Sequence, residues 1–499
     1  MKKMPNILSK LFFGVSLVIF FPAIVAIYFN TPKLDLLGTR KLINCFIVFI
    51  FIAMCIYVKG LSLITDKIKN ETKFICILSI IYCGCLFLFS LYFMQEGHAE
   101  TYWVYGAGRV LANKEDLRTS QGGYFMDVFS KYHYLKGILF VTSFFERIAI
   151  FLNIDCKMFL SFVNAVLISI SLPSVFYVCK KIFNRKTAYY SISISLIFLP
   201  IYFSTCIFYN YVFIYSFPIA ILALYVSVDG KNGLKKGILI GFLSGIGFCV
   251  FNTCIIVTIA LLIDIILLKK SNIKNALYIS VFSLLFVSCF SIFFSNEYKE
   301  KIFVEDLYER YKYPVLESTM YVGVNEMTLG LYSVEDRDYI DSFETYDDKK
   351  QELRKAIVAR MEKMNTLEKI EFFINKTAVN FGNGTYYSEF VSNDNLVKPR
   401  KLIQFFSKDF DNVKYYRSFY GALNLLMLVG LCLSMAYGFK KEYRTLVPWI
   451  SIFGVLLVTL ISETNPRHVL AYVPFIIIIA SYMVSIVEEK ITKVNRIGK

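Results

Sequence analysis

The chain has 499 residues, of which 56% are hydrophobic and 17% aromatic, with a mean hydropathy of +0.55 and a net charge of +16. A soluble core of this length does not need so much apolar material, so the composition predicts a multi-pass membrane protein and excludes an ordinary soluble one. The positive charge does not indicate nucleic-acid binding, because the basic residues cluster in short loops between apolar runs.

Apolar runs recur along the chain and predict about twelve membrane crossings. At a rise of 1.5 Å per residue, such runs match a hydrocarbon layer roughly 30 Å thick. The first run follows Met1-Lys2-Lys3 without a small-residue cleavage site, so it is predicted to be a retained helix and not a signal peptide. The predicted spans are residues 11–29, 44–59, 74–94, 158–179, 187–203, 209–227, 237–251, 252–268, 275–294, 416–437, 445–462 and 468–487.

The basic loops predict which side of the membrane each end of the chain occupies. Seven clusters of lysine and arginine fall on one side if the N-terminus is cytoplasmic, and the C-terminus is then cytoplasmic too. The loop 30–43 departs from this pattern, because it lies outside yet carries three cations. The seven clusters are Lys2/Lys3/Lys10, Lys67/Lys69/Lys73, Lys180/Lys181/Arg185/Lys186, Lys231/Lys235/Lys236, Lys269/Lys270/Lys274, Lys440/Lys441/Arg444 and Lys490/Lys493/Arg496/Lys499.

The apolar stretch 134–153 is predicted to lie on the outer surface of the membrane and not to cross it. It contains Lys136, Glu146 and Arg147, and each charge at the bilayer centre costs roughly 2.5–3.5 kcal/mol on insertion scales. Counting this stretch as a crossing would also move the basic cluster at 180–186 to the outside. An interfacial helix is therefore predicted.

Two long segments are predicted to lie outside the membrane. In the second, apolar residues step by three or four from Leu353 to Phe373, which predicts one amphipathic helix that either lies on the bilayer or packs within its own domain. The predicted organisation is an N-terminal transmembrane region (residues 1–94), an outer loop (95–157), a central transmembrane region (158–294), an extracytoplasmic domain (295–415) and a C-terminal transmembrane region (416–499).

The segment Glu96–Trp103 is the most informative stretch of the chain for function. It places two carboxylates, Glu96 and Glu100, and the histidine His98 directly after the third predicted span. Glu100 also begins a predicted helix through Leu111, where an acidic residue is favoured by the helix dipole, so a solvated helix terminus is the alternative to a functional role.

Several other classes of site have no support in the sequence. The histidines His98, His133 and His468 are widely separated and no cysteine pair has metal-ligand spacing, so no metal site is predicted. The chain has no Walker loop, no dinucleotide-binding glycine fingerprint and no G-x-S-x-G motif. Asp264 lies within an apolar span, which would mark an ion pathway in a transporter, but it is close to Lys269 and Lys270, so a carboxylate at headgroup level or paired with lysine is favoured.

The order of these regions resembles the GT-C class of integral-membrane glycosyltransferases, the group of the protein O-mannosyltransferases and lipid A aminoarabinose transferases. Glu100–Ala107 resembles the first-loop pattern of the class, in which an acidic residue is followed by an apolar or aromatic residue four residues on and by a small residue seven residues on. The stretch from Tyr134 stands where the class has its juxtamembrane helix, and Pro173–Arg185 resembles the next span with its basic end. Glu463–Tyr472 resembles the acidic-to-arginine motif that opens the last span.

Two further runs, Gly323–Asp336 and Ile370–Tyr386, resemble Gram-positive members that glycosylate cell-envelope material. The chain also departs from the class at three places. Many members have Asp where this chain has Glu100, several have a second acidic site where this chain has Tyr209-Asn210-Tyr211, and a proline-containing turn often stands in place of Tyr132-His133.

The resemblance implies an all-α bundle of GT-C type, with a surface helix in the first outer loop and a mainly helical outer domain. It implies transfer of a sugar from a polyprenyl-phosphate donor to an envelope glycopolymer, lipid or protein, by an inverting displacement that a carboxylate base assists. A divalent cation as cofactor is left open, and membrane lipids are expected partners. Abundant Ile, Lys, Asn and Phe with few Trp and Pro favour a bacterial source and hence its cytoplasmic membrane.

On this resemblance Glu100 is the predicted base, with Glu96 and His98 as the alternatives. Arg467 is the first candidate to bind the donor phosphate, because a guanidinium can hold phosphate oxygens in a bidentate way. It could instead pair with Glu463 or anchor the helix at the headgroups. Arg109 and His468 are the other phosphate candidates. A flippase for lipid-linked sugars and a non-enzymatic envelope assembly protein are the competing functions.

Overall fold

The computed structural model describes residues 7–29, 40–65, 67–97, 100–117, 124–228, 232–268, 273–302, 304–305, 311–390, 396–397, 400–441 and 443–497. Within these ranges the chain is helical, and its β pairing is an isolated bridge between Gln95 and Leu396. The prediction of an all-α polytopic fold is therefore confirmed.

The described residues of the predicted N-terminal region form three long helices, followed by three helices in the predicted outer loop. Asn70 caps the third long helix by accepting a hydrogen bond from the backbone N–H of Lys73 at 3.0 Å. The helices are α1 (Ile7–Phe29), α2 (Arg40–Thr65), α3 (Glu71–Tyr92), α4 (Glu100–Ala112), α5 (Tyr124–Lys131) and α6 (Lys136–Phe151).

Helix α6 is the one predicted to lie on the membrane surface. Its buried face includes Ile138 and Leu139 and packs against α4, whereas Phe144 and Phe151 are 58% and 87% exposed. An apolar exposed face of this kind fits an interfacial helix. Glu146 lies on the buried face, 1% exposed, so the charge that argued against a crossing is inside the protein.

The described residues of the central region form eight α-helices. The predicted span 158–179 is observed as two helices in succession that together run from Cys156 to Ile182. The helices of this region are α7 (Cys156–Ser169), α8 (Ser171–Ile182), α9 (Arg185–Ile197), α10 (Leu199–Phe203), α11 (Asn210–Val226), α12 (Gly233–Val250), α13 (Ile255–Leu268) and α14 (Ile273–Lys301).

The predicted extracytoplasmic domain and the predicted C-terminal region supply the remaining described α-helices. The last long helix is at the centre of the bundle, since Ile476 to Ile479 are all 0% exposed, which is expected of a helix surrounded by other helices. These helices are α15 (Val315–Gly323), α16 (Val334–Asp341), α17 (Tyr346–Lys363), α18 (Thr366–Gly382), α19 (Val413–Gly438), α20 (Val447–Ile461), α21 (Arg467–Leu470) and α22 (Val473–Ile497).

The predicted single helix from Leu353 to Phe373 is wrong. The chain leaves the helical conformation at Met364, and Asn365 starts a new helix with a full capping box, in which its side chain and that of Glu368 bond each other's backbone N–H groups. Leu353 and Met364 are buried, whereas Leu367 is 76% exposed, so the apolar stripe does not continue across the break.

Seven helical segments of the described residues are long and apolar enough to cross a membrane, counting α7 and α8 as one, and three shorter apolar helices accompany them. Large apolar side chains on their outer faces, such as Val18, Ile80 and Leu284, are 69–74% exposed, which is the expected exposure of side chains that face lipid. All twelve predicted spans contain helix, and the number of crossings remains a prediction. The seven are Ile7–Phe29, Arg40–Tyr57, Glu71–Tyr92, Cys156–Ile182, Gly233–Val250, Leu277–Lys301 and Val413–Gly438.

Four of the basic clusters meet at one end of the bundle, which we call the basic end. Glu71, at the start of α3, forms ion pairs with Lys180 and Arg185. Lys186 pairs with Glu488 at 2.6 Å, and Arg444 donates to the backbone carbonyl of Lys181 at 2.7 Å. The clusters around residues 67–73, 180–186, 440–444 and 490 therefore lie on one side, as the predicted topology requires.

Candidate active site

Glu100 lies at the end of the bundle opposite the basic end. Helix α3 begins at Glu71 in the basic end and has 22 residues, so it rises by about 33 Å before the chain reaches the exit segment. There the backbone N–H of Val397 donates to the carbonyl of Met94 at 2.9 Å, and Arg400 donates to the carbonyl of Tyr92, also at 2.9 Å. These contacts fix the exit of the third predicted span, directly before Glu100.

The carboxylate of Glu100 is held by two tyrosine hydroxyls. Tyr134, from the turn before α6, donates to Oε1 at 2.9 Å, and Tyr209, at the start of α11, donates to Oε2 at 2.6 Å. Hydrogen bonds to an ionised acceptor are stronger than neutral ones. Although Glu100 is the first residue of α4, its two oxygens are thus bound and oriented by residues from two other segments of the chain, and the side chain remains partly exposed.

Arg467 starts the short helix α21 and lies beside a second pair of tyrosines. Its Nη1 donates to the hydroxyl of Tyr211 at 3.0 Å, and its guanidinium carbon is 5.4 Å from the ring centroid of Tyr211 and 6.0 Å from that of Tyr387. No ion pair joins Arg467 to Glu463 within the described residues. The guanidinium therefore keeps donors for a ligand, since it has five N–H groups.

Tyr209 and Tyr211 connect the two candidate residues. Their ring centroids are 5.2 Å apart, Tyr209 bonds Glu100 and Tyr211 bonds Arg467. The segment at which the sequence lacks the second acidic residue of the class is therefore the segment that brings the carboxylate and the guanidinium together. In the sequence, these tyrosines are recognisable only as a departure from the class.

A buried lysine and a half-buried glutamate support this arrangement from the side of the predicted outer domain. Lys376 is 0% exposed and donates to the carbonyl of Ser462 at 2.6 Å and to the carbonyl of Gly323. Burial lowers the pKa of Lys376 to about 7, and the nearby Glu463 opposes this effect. Burial and the negative charge of Glu100 raise the pKa of Glu463 to about 7, against the effect of Arg467.

Three runs that resemble the GT-C class meet at Lys376. Besides the two lysine contacts, Thr464 donates from its backbone N–H to the carbonyl of Gly330 at 2.7 Å and from its hydroxyl to the carbonyl of Leu329 at 2.6 Å. Asn465 donates from its backbone N–H to the side chain of Asn380 at 2.9 Å. Segments 323–336, 370–386 and 463–472 are thus joined directly.

Two turns beside Arg467 and Thr464 contain consecutive residues in the left-handed conformation. Leu329 and Gly330 have φ angles of 54° and 77°, and Tyr386 and Tyr387 have φ angles of 51° and 62°. Non-glycine residues in this conformation cost free energy and are concentrated at functional sites. Here the strained turn places the ring of Tyr387 near the Arg467 guanidinium.

Two aromatic residues that follow Glu100, Trp103 and Tyr105, contact other residues of the protein. The ring of Trp103 stacks on Tyr132 with centroids 5.3 Å apart, and its indole N–H donates to Tyr124 at 2.8 Å. The hydroxyl of Tyr105 accepts a hydrogen bond from the backbone of Phe208 at 3.1 Å. Tyr102, by contrast, is 47% exposed.

Of the other predicted site residues, those that the structure describes have other surroundings than Glu100. Glu96 is exposed and forms an ion pair with Lys157. His98 lies outside the described residues. Arg109 is nine residues after Glu100, which places it on the opposite face of α4, and it is exposed. His468 follows Arg467, and its ring packs against Phe251 with centroids 5.4 Å apart.

Asp264 has hydrogen-bond partners on two other segments of the chain. It accepts hydrogen bonds from Tyr225 and Thr445, both at 2.9 Å, and from the backbone N–H of Leu446 at 2.5 Å. It is 3% exposed. These contacts join α11, α13 and the start of α20 near the basic end, which accounts for a carboxylate in an apolar helix by packing.

No protein-family model and no curated protein matches the chain. Solved structures are similar to it over most of its length. The archaeal oligosaccharyltransferase AglB from Archaeoglobus fulgidus, solved with an inhibitory peptide and a dolichol-phosphate, has 11% identity and a TM-score of 0.43, covering 84% of this chain and 51% of that chain. The apo form of the Archaeoglobus fulgidus enzyme has 11% identity and a TM-score of 0.44, covering 84% and 52%.

ArnT from Cupriavidus metallidurans, bound to undecaprenyl phosphate, has 8% identity and a TM-score of 0.36, covering 83% of this chain and 78% of that chain. The chain spans about half the length of the archaeal oligosaccharyltransferase. These structural neighbours are GT-C glycosyltransferases, the class that the sequence resembles.

Proposed function

We propose that the chain is a membrane glycosyltransferase that moves a sugar from a polyprenyl-phosphate donor to a cell-envelope acceptor on the outer face of the cytoplasmic membrane. The observation that carries the proposal is the pairing of Glu100 and Arg467 through Tyr209 and Tyr211, at the end of the bundle opposite the basic end. A carboxylate and a guanidinium in this position are the two groups that such a transfer needs.

Glu100 is the proposed base. In a single displacement, an acceptor hydroxyl attacks the anomeric carbon, the bond from that carbon to the donor phosphate breaks, and the acceptor proton passes to the carboxylate. The anomeric configuration is inverted. Tyr134 and Tyr209 fix the plane of the carboxylate, so that its remaining lone pairs point in a defined direction.

Arg467 is the proposed partner of the donor phosphate. The leaving phosphate needs no strong acid, but the charge that it gains must be stabilised by a cation. The fork of N–H groups of an arginine matches two phosphate oxygens. Tyr211 and Tyr387 support the guanidinium, which leaves an edge of the group available to the donor.

Genetic complementation tests this function. A strain that lacks the gene should lose one envelope glycan, detected by mass analysis of envelope polymers and lipoproteins, and the wild-type gene should restore it. Glu100→Gln should not restore it at equal protein level, whereas Glu115→Gln, an exposed carboxylate of the same outer loop, should. Full restoration by Glu100→Gln would contradict the role of this residue. If Glu100→Gln restores the glycan and Glu96→Gln does not, Glu96 would be the base.

A further inference from the structure

The basic end contains a cavity of about 200 Å³ that the proposed reaction does not use. It lies between the last residues of α8 and α19 and the polar end of α22. Its cations are Lys441, Arg444 and Lys490, and its carboxylate is Glu489. Because the transfer site is at the opposite end of α3, a ligand in this cavity cannot be in contact with Glu100 or Arg467.

Two of these cations, Lys441 and Lys490, lie over the ring of Tyr437 and have no carboxylate partner among the described residues. The ammonium of Lys441 is 5.8 Å from the ring centroid of Tyr437 and donates to the hydroxyl of Tyr482 at 3.0 Å. The ammonium of Lys490 is 5.9 Å from the same Tyr437 ring. Throughout the stretches of the chain that the structure describes, no carboxylate oxygen lies within ion-pair distance of either lysine.

Three neighbouring basic residues, Lys180, Arg185 and Lys186, differ from this pair, because carboxylates neutralise them. Lys180 and Arg185 share Glu71, and Lys186 pairs with Glu488. The predicted rule that cytoplasmic loops are positive explains all of these cations equally well. It does not explain why the two lysines at the cavity share one tyrosine ring, whereas Lys180, Arg185 and Lys186 have counter-ions.

The walls of the cavity are held in place by stacking. Phe183 stacks on Tyr482 with ring centroids 4.1 Å apart, and Tyr443 stacks on Trp449 at 4.2 Å. Arg444 is fixed at the rim by its hydrogen bond to the carbonyl of Lys181. The aromatic walls of the cavity are therefore preformed, which reduces the ordering that binding a ligand there requires.

We infer that this cavity binds a phosphate group, carried by the headgroup of an anionic phospholipid or present as a free anion. A phosphate oxygen between Lys441 and Lys490 would supply the missing counter-charge. Basic pockets between transmembrane helices on the cytoplasmic side are known sites for anionic headgroups, and tyrosines are enriched at the level of the headgroups.

The test is ligand-dependent stabilisation of the purified full-length protein in neutral detergent. Phosphatidylglycerol should raise the Tm, and phosphatidylcholine should not, since a ligand that binds only the folded state stabilises it. In Lys441→Gln/Lys490→Gln we expect the apparent affinity for phosphatidylglycerol to fall roughly tenfold or more. Lys440→Gln, an exposed neighbour outside the cavity, is the control and should bind like the wild type.

Inorganic phosphate distinguishes the two sources of the ligand. If it raises the Tm without lipid and the double variant abolishes this effect, free phosphate is the source. If only phosphatidylglycerol acts through the two lysines, the source is the lipid. The inference is overturned if neither ligand acts, if the double variant responds like the wild type, or if Lys440→Gln loses as much affinity. Should the double variant fail to fold, Lys490→Gln alone, at an exposed residue, is measured in the same way.

Discussion

At the scale of single residues, the candidate site is a carboxylate and a guanidinium that four tyrosines hold in place. Glu100 and Arg467 were candidates from their positions in the sequence. Tyr134, Tyr209, Tyr211 and Tyr387 were not assigned to the site from the sequence, because 35 tyrosines are present and most of them fit a membrane interface equally well. Which of them bond Glu100 or Arg467 depends on contacts between segments that are far apart in the sequence.

Removing the shorter hydrogen bond to Glu100 should slow transfer. Tyr209→Phe keeps the ring but removes the hydroxyl that donates at 2.6 Å. A hydrogen bond to a charged group contributes about 1.5–3 kcal/mol, which corresponds to a fall in kcat of about 10- to 100-fold. Tyr102→Phe, at an exposed tyrosine close in sequence to Glu100, is the control in a transfer assay. Equal losses in the two variants would contradict a specific role of Tyr209.

Replacing the guanidinium by an ammonium should weaken donor binding. Arg467→Lys keeps the charge but loses the fork of N–H groups, so we expect KM for the polyprenyl-phosphate sugar to rise roughly tenfold. Arg109→Lys makes the same change at an exposed arginine on the far face of α4 and should leave KM unchanged. An unchanged KM in Arg467→Lys would show that another group binds the phosphate.

Glu463 should make stability depend on pH. Its pKa in the folded protein is about 7, above the ordinary value of 4.5, so between these values the folded state binds more protons than the unfolded state. The free energy of unfolding should therefore fall as the pH rises from about 4.5 to about 7. Glu463→Gln should remove this component of the Tm profile, and Glu115→Gln should retain it. An identical profile in Glu463→Gln and the wild type would show that Glu463 does not make this contribution.

At the scale of elements, the site depends on turns that the hydrophobic pattern does not reveal. The break at Met364 shows why: seven apolar residues continue a helical spacing across it, and only the sequence Asn365-Thr366-Leu367-Glu368 signals a new helix start. The strained pair Leu329-Gly330 is likewise invisible to periodicity. Only the glycine suggests a special backbone conformation.

Gly330 should not tolerate a side chain. Its φ is +77°, and a Cβ atom there would lie 2.7 Å from the carbonyl oxygen of Gly323 and 2.8 Å from the hydroxyl oxygen of Thr464. Gly330→Ala should therefore lower the Tm and reduce transfer, because the turn joins the outer domain to the loop before Arg467. Gly84→Ala is the matched control, since a Cβ there meets nothing within 4 Å and alanine favours the helix. A wild-type Tm and transfer rate in Gly330→Ala would show that the turn can shift without harm.

At the scale of the whole molecule, the basic loops lie at one end of the helical bundle and the candidate active site lies at the other. Helix α3 runs from Glu71 among the basic loops to the segment before Glu100, and four of the predicted basic clusters meet at its starting end. Composition, span length and loop charge were sufficient to predict an all-helical bundle with these four basic clusters at one end, because the bilayer constrains the length and the flanks of every crossing. They were not sufficient to predict how the three outer runs join at Lys376.

The central claim is that Glu100 accepts a proton during sugar transfer. The most direct measurement is single-turnover transfer from a polyprenyl-phosphate sugar by purified protein in liposomes, comparing the wild type with Glu100→Gln and with Glu115→Gln at equal amounts of folded protein. General base catalysis contributes about 10²- to 10⁴-fold, so Glu100→Gln should be slower by at least 100-fold while Glu115→Gln keeps the wild-type rate. A Glu100→Gln rate within a few-fold of the wild type would contradict the account.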